Sequence, residues 1–319
     1  MKIAIITGIT GQDGAYLAQL LLKNNYKVIG LLRDKNSVKL EKLIYLDIVD
    51  KIIFEKCDLN SLADVINIIN KYKPNEIYNL ASQSSVGKSF QNPIETLNFN
   101  ILSTSNILEA IKILDKSIKF YQASSSEMFG STNYLPFTEK SIFHPVSPYG
   151  ISKASAHWIT VNYRESFGLF TTSGILFNHE SVLRADNFII KKIIKTSFDI
   201  INKKTNILEV GNIDIKRDFG YAPKYVEAMY LMMQYDKPDD YIIASGVSLS
   251  IREIIYYIFD KLNIDKNKII INKEFYRPNE IENIYGDSTK AKEILKWDYE
   301  LSFFDVLDIL IEEERKLYE

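Results

Sequence analysis

A chain of 319 residues, 46% of them hydrophobic and 25% charged, has the make-up of a folded globular protein and the length of about two domains. Lys and Arg total 39 against 41 Asp and Glu, and this net charge of −2 argues against a whole-chain footprint for nucleic acid or an anionic membrane, though not against a local basic cleft. The single cysteine, Cys57, excludes an intramolecular disulfide, and the three His lack zinc spacing. No metal site is expected, nor is a membrane span, since no run nears the ~18 apolar residues one needs. The opening apolar run ends at Gly8 too soon to read as a signal sequence, so a cytoplasmic setting is expected.

Apolar runs at 2–7, 26–32, 52–56, 76–80 and 118–123 predict buried strands separated by helical patterns. After the first comes Gly8-Ile9-Thr10-Gly11-Gln12-Asp13-Gly14, then Leu17, Leu20 and Leu21 at helical spacing. Glycines in such a strand–turn–helix let backbone N–H groups and the positive end of the helix dipole approach a pyrophosphate. A glycine turn without a ligand is the plainer alternative. At the end of the second strand, Leu32 stands where NAD-selective folds carry an acid, and Arg33 follows it. That pattern favours NADP, while Asp34, which would repel a 2′-phosphate, keeps NAD open. Asp58 and Leu59 are placed for the adenine, and Leu80, Ala81, Ser82 and Ser84 suit backbone approach to a cofactor; ordinary loop chemistry competes for each. Between them, Leu62, Val65, Ile66 and Ile69 predict a helix opened by Ser61 and Asp64.

The fifth strand runs into Ser124-Ser125-Ser126-Glu127, whose hydroxyls can share a hydrogen bond with a sugar hydroxyl and a nearby phenol. Tyr149 and Lys153 form Tyr-x-x-x-Lys, one turn apart on a single helix face. A phenol ionises near pH ~10, but an adjacent ammonium and a nicotinamide cation favour its phenolate, which makes Tyr149 a base. Among 20 Tyr the bare spacing reads as a surface pair, and it is the glycine turn and the serines that reverse that judgement. Glu127 carries more information. A reductase or epimerase needs only hydroxyl, Tyr and Lys, whereas a carboxylate beside them removes a carbon-bound proton and protonates a leaving group. A structural Glu is the competing reading.

From about Asn178 the alternation is less regular. Ser250 and Glu253 form a capping box before Ile251, Ile254, Ile255 and Ile258, and Ser302 with Asp305 opens a last helix carrying Val306, Ile309 and Leu310. The expected architecture is α/β: a doubly wound, parallel Rossmann-type sheet with a smaller C-terminal α/β substrate domain. Residues 1–177 and 213–245 would bind a dinucleotide, 178–212 and 246–319 a substrate, with a cleft at the switch point of the sheet.

On the glycine turn, on Tyr78-Asn79-Leu80-Ala81-Ser82-Gln83-Ser84, on Gly174-Ile175-Leu176-Phe177-Asn178-His179-Glu180-Ser181, and on Arg217-Asp218-Phe219-Gly220 and Tyr276-Arg277-Pro278, the chain resembles the extended short-chain dehydrogenase/reductases, most closely the GDP-mannose 4,6-dehydratases. The resemblance implies a Ser125, Glu127, Tyr149, Lys153 active site, cofactor contacts at His179 and Arg184, and a GDP-sugar held by Ser84, Asn178, Lys192, Arg217 and Arg277. It implies a homodimer or homotetramer. It also implies a reaction in which Tyr149 takes the C4-hydroxyl proton as hydride passes to the nicotinamide. Glu127 then removes the C5 proton and protonates the departing C6 hydroxyl, after which hydride returns to C6 and Tyr149 reprotonates C5 or the oxygen network.

Departures from the family pattern are Ser125 for Thr, Phe129 for Tyr, and a short stretch Asp34-Lys35-Asn36-Ser37-Val38 in place of an Arg- and Ser-rich loop, which bears on NADP preference and on the tetramer. Val182-Leu183-Arg184-Ala185-Asp186-Asn187 also differs, leaving a GDP-manno-heptose as an alternative substrate. Rival readings are a GDP-sugar 4-dehydrogenase or 4-keto reductase, and a non-catalytic nucleotide-sensing protein.

Overall fold

The computed structural model describes residues 1–34, 39–131 and 134–318, so that Lys35, Asn36, Ser37 and Val38 of the short stretch lie outside the described residues. Its strands are β1 (Ile3–Thr7), β2 (Lys27–Leu32), β3 (Ile52–Lys56), β4 (Glu76–Asn79), β5 (Lys119–Ser125), β6 (Thr171–Leu176), β7 (Asn178–Glu180), β8 (Leu208–Val210), β9 (Lys216–Tyr221), β10 (Asp240–Ile243), β11 (Ser248–Ser250), β12 (Ile269–Ile271) and β13 (Asn283–Ile284). Seven make one sheet in the order β10-β6-β5-β4-β1-β2-β3. Every neighbouring pair in it is parallel. Helices cover both faces of such a sheet, which is why β4 and β6 are buried along their whole length. The strand order reverses between β1 and β4, and the crevice beyond that switch point is where open α/β sheets take ligands.

β5 runs two residues past the expected end, because Ser124 and Ser125 continue to pair with Ile175 and Leu176. β6 is not among the apolar runs, and the reason is its three buried hydroxyl residues. Thr171 Oγ1 donates to the Thr160 carbonyl at 2.8 Å and Thr172 Oγ1 to that of Asp239 at 2.5 Å, so two of the three sit satisfied in the interior, while Ser173 Oγ has no hydrogen-bond partner among the described residues.

In the second half, β9 pairs with β7, β11 and β13, while β8 and β12 form a separate pair. Residues 213–245, expected whole in the first domain, are thus divided: β9 belongs to the second sheet and β10 to the first. Only Phe177 separates β6 from β7, so the chain passes directly from one sheet to the other. Ile190, Ile194, Phe198, Ile254, Ile258, Val306 and Leu310 form the core of this half. Both expected capping boxes are present, Ser250 with Glu253 and Ser302 with Asp305. Among the described residues no helix is long and apolar enough to cross a membrane.

Candidate active site

A cavity of about 860 Å³ opens at the C-terminal ends of β1, β4, β5 and β6 and extends under β7 and β9. Its floor is the glycine turn. Gly8 has φ +69°, and a Cβ on Gly14 would stand 2.3 Å from the Gly8 carbonyl oxygen. The helix Gln12–Lys23 that follows has no side-chain cap at Gly11, so its first N–H groups face the cavity uncapped. Thr7 Oγ1 accepts from the N–H groups of both Leu80 and Ala81 at 3.0 Å, tying the loop after β4 to this turn. A cradle that any Cβ would fill, at an uncapped helix N-terminus, fits a dinucleotide pyrophosphate. Gly14→Ala should weaken dinucleotide binding by about 10-fold or more, since strain of about 1–3 kcal/mol falls on the phosphate turn. Titration by cofactor fluorescence checks this, and unchanged affinity would contradict the assignment of the turn.

The catalytic candidates converge on the opposite wall. The helix Pro148–Phe167 starts with Pro148 in its first turn and with Ser147 Oγ accepting from Gly150 N–H at 3.0 Å. A Cβ on Gly150 would lie 2.6 Å from the Glu127 carbonyl oxygen, so only glycine lets this helix abut the short 3₁₀ turn Ser126–Met128 that carries Glu127. Tyr149 and Lys153 project from the helix into the cavity beside Ser125 and Glu127. Burial pushes the Tyr149 phenol up to about 12, a hydrogen bond with Ser125 opposing it and the Glu127 charge adding to it. Burial brings the Lys153 ammonium down to about 8. Its Nζ lies 5.8 Å from the Tyr149 ring centroid and donates to the Ala123 carbonyl at 2.8 Å. In the chain alone, therefore, the expected phenolate is not favoured. The ammonium is spent partly on a strand carbonyl, and desolvation outweighs it.

The second half closes the site. His179 Nε2–H donates to the Asp13 carboxylate at 3.0 Å, its Nδ1 meets the Phe177 carbonyl at 2.7 Å, and its ring stacks on Tyr225. Ser181 Oγ donates to Gln12 Oε1 at 2.7 Å, and Gln12 Nε2 donates to the His179 carbonyl. These bonds knot the glycine turn to β7. Burial raises the Asp13 carboxyl, but His179 beside it outweighs that and brings it to about 2. Arg184 lies 3.4 Å from Glu180 and over the Phe188 ring, its guanidinium carbon 3.7 Å from the centroid.

At the far rim, Arg217 is 5% exposed; it donates to the Ile281 carbonyl at 2.6 Å and to Glu280 at 2.8 Å. Arg277 approaches Glu280 at 3.5 Å and Glu127 at 3.9 Å. Lys192 donates to the Glu209 carbonyl at 2.7 Å above the Phe275 ring. Gly8, Thr10, Gly11, Gln12, Asp13, Gly14, Arg33, Leu80, Ala81, Ser82, Ser84, Ser125, Glu127, Tyr149, Lys153, Asn178, His179, Arg184, Lys192, Arg217 and Arg277 all line this one cavity. Asp58 and Leu59 do not. Asp58 is exposed and accepts from Asn60 N–H, and Leu59 is buried in the core with Ile68 and Ile107. Sequence reasoning missed Lys42, Glu180, Phe188, Phe275 and Glu280, which also line the cavity. Of these Glu180 lies within the Asn178-His179-Glu180-Ser181 segment that carries the resemblance, and Glu280 stands three residues after Arg277.

A family model described as GDP-mannose 4,6 dehydratase matches residues 5–310. GDP-mannose 4,6 dehydratase 1 of Arabidopsis thaliana is 42% identical over 327 residues, covering 99% of this chain and 90% of the relative. The human GDP-mannose 4,6 dehydratase is 38% identical over 344 residues, covering 99% and 92%. Among solved structures, a dTDP-glucose 4,6-dehydratase from Bacillus anthracis in complex with NAD superposes with a TM-score of 0.86 at 21% identity, covering 99% of this chain and 97% of that one, a likeness of fold.

Proposed function

The chain belongs to the GDP-mannose 4,6-dehydratase family, and from that premise we propose that it is a hydro-lyase removing water across C5–C6 of GDP-mannose to leave a GDP-4-keto-6-deoxy sugar. The observation that carries the reading beyond a one-step reductase is Glu127, set in the cavity between Tyr149 and Arg277. Its resident cofactor is a nicotinamide dinucleotide, which supplies a hydride acceptor at C4 and a donor at C6. Gly8, Gly11, Gly14, Leu80, Ala81, Ser82, His179 and Arg184 would hold it. The Arg33 guanidinium, 5.3 Å from the Phe99 ring centroid at the cavity edge, supports NADP over NAD.

Tyr149 accepts the C4-hydroxyl proton, with Ser125 bridging phenol and sugar oxygen. Because burial outweighs the Ser125 hydrogen bond and holds the phenol at about 12, the positive charges around it, Lys153 among them, set how readily it ionises. The C4 ketone acidifies C5–H. Glu127 takes that proton and delivers one to the C6 oxygen, which leaves as water, and when hydride returns to C6 Tyr149 gives the proton it took from O4 to C5, so both groups end in their starting states. Arg217, Arg277 and Lys192 are the cations for the substrate diphosphate, where guanidinium forks suit phosphate oxygens. Glu280 holds the two arginines in place.

We also propose a homodimer in the cytosol. Ile94, Leu102, Ile151 and Trp158 are exposed on the neighbouring helices Pro93–Leu114 and Pro148–Phe167, an apolar stripe suited to a second copy. Incubating the protein with GDP-mannose, and in a parallel tube with a GDP-manno-heptose, tests the reaction and the sugar together. The expected product from GDP-mannose is lighter by one water, with no net change in nicotinamide absorbance. A product of net oxidation, or no product from either sugar, would overturn the reading.

A further inference from the structure

Lys42 sits on the short helix Glu41–Tyr45 that follows β2. That helix is pinned from two sides. Leu43 is fully buried in the core beneath β1 and β2, and the Tyr45 hydroxyl donates to Glu313 of the last helix, Phe303–Arg315, at 2.5 Å. Lys42 itself is half-buried, lines the cavity at the glycine turn, and has no hydrogen-bond or ion-pair partner among the described residues.

The charges that act most on Lys42 are the Arg184 cation and the Asp13 carboxylate. Asp13 is already engaged by His179 and Gln12. Arg184 faces Glu180 at 3.4 Å, yet its Nε and the Glu180 Oε2 are both buried without a hydrogen bond. Two cations, one from each half of the molecule, thus line one cavity with the uncapped N-terminus of Gln12–Lys23, close enough for the one to act on the other, and neither is hydrogen-bonded to an acid. Like charges kept close in a partly desolvated cleft repel, and burial adds to the cost of the Lys42 charge. A dianion between them removes both penalties.

We propose that Lys42 is a cofactor-binding residue that closes on the dinucleotide pyrophosphate from the first half of the molecule, opposite Arg184 from the second. This rests on the reading that the cleft takes a nicotinamide dinucleotide. Lys42 answers to groups in and across from the glycine turn, whereas a 2′-phosphate would be met at Arg33 at the end of β2. The clamp therefore serves NADPH and NADH alike.

Fluorescence titrations of the full chain with NADPH and with NADH test this on wild type, Lys42→Ala and Lys42→Arg. Lys42→Ala should weaken both ligands by a similar factor, about 10-fold, as loss of one charge-assisted phosphate bond implies. Lys42→Arg should bind within about 3-fold of wild type, since the cation is kept. The affinity of Lys42→Ala should also depend less on salt. Unchanged affinity in a variant with wild-type thermal stability overturns the proposal, and so does a loss confined to NADPH, which would move Lys42 to the 2′-phosphate. If wild type binds neither dinucleotide, it is the cofactor reading that fails.

Discussion

Tyr149→Phe is expected to lower kcat by about 1,000-fold, the middle of the range for a positioned acid–base group. The phenyl ring keeps the packing of a residue that is 8% exposed, so folding and cofactor affinity should stay near wild type. What is lost is the oxygen that meets the C4 hydroxyl. Without it the first proton has no acceptor. A single-turnover mixture should therefore show neither a change in nicotinamide absorbance nor a product lighter by one water. The sign of the pH dependence follows from the same group. A buried phenol is raised toward about 12 in the chain alone and acts only after losing its proton. The wild-type rate should thus climb with pH on the acid side of its profile, and the Phe variant should lack that limb. A variant that keeps both its turnover and its pH limb would remove Tyr149 from the reaction.

Glu127→Gln should divide the reaction where Tyr149→Phe silences all of it. The amide is nearly the same size, and the 3₁₀ turn that holds it is set by Glu127 N–H donating to Ser125 Oγ at 3.3 Å, a backbone bond the variant retains. Water loss should fall by about 1,000-fold, or about 4 kcal/mol in the barrier of that step. Oxidation at C4 should persist as a single turnover visible in nicotinamide absorbance, because Ser125, Tyr149 and Lys153 are untouched. Solvent-deuterium exchange at C5, read by mass spectrometry, should be suppressed together with the loss of water. Full turnover in the Gln variant would show that another group handles the C5 proton. Abolition of C4 oxidation as well would mean that the carboxylate serves Tyr149 rather than the sugar.

Much of this could be read from residue order, and the physics says which parts. A parallel strand covered on both faces is a short apolar run, so β1 to β5 are legible to within a residue or two. Turn chemistry is equally local: the glycine spacing, the Ser61 cap and the two capping boxes each need only a few consecutive residues. β6 is hidden because three of its six residues carry hydroxyls, two of which spend their hydrogen bonds on the carbonyls of Thr160 and Asp239, outside the strand. The second sheet is harder still, for β7, β11 and β13 are two or three residues long and exist only by pairing with β9. Among site residues, Tyr149 and Lys153 announce themselves by helical spacing. Lys42, Glu180 and Glu280 acquire meaning only when loops distant in sequence meet across the cleft. The Lys153 bond to the Ala123 carbonyl is likewise invisible in the sequence, and it is burial, with the Glu127 charge adding to it, that makes the phenol less acidic in the chain alone than the motif suggests.

The place of β10 has a bearing on how the protein is made. β10 forms the margin of the first sheet beside β6, but the chain reaches it only after building β7, β8 and β9 elsewhere. A nascent polypeptide that has emerged as far as β9 therefore carries β6 with one row of N–H and C=O groups open to any passing strand. Such a bare margin is a template for adhesion between unfinished molecules. Once residue 243 has been made the row is covered, and the outer edge of β10 is in turn answered by side chains, Ile242 N–H donating to Glu139 and the Asp240 carbonyl accepting from Lys290, so the finished sheet offers no such bare margin there.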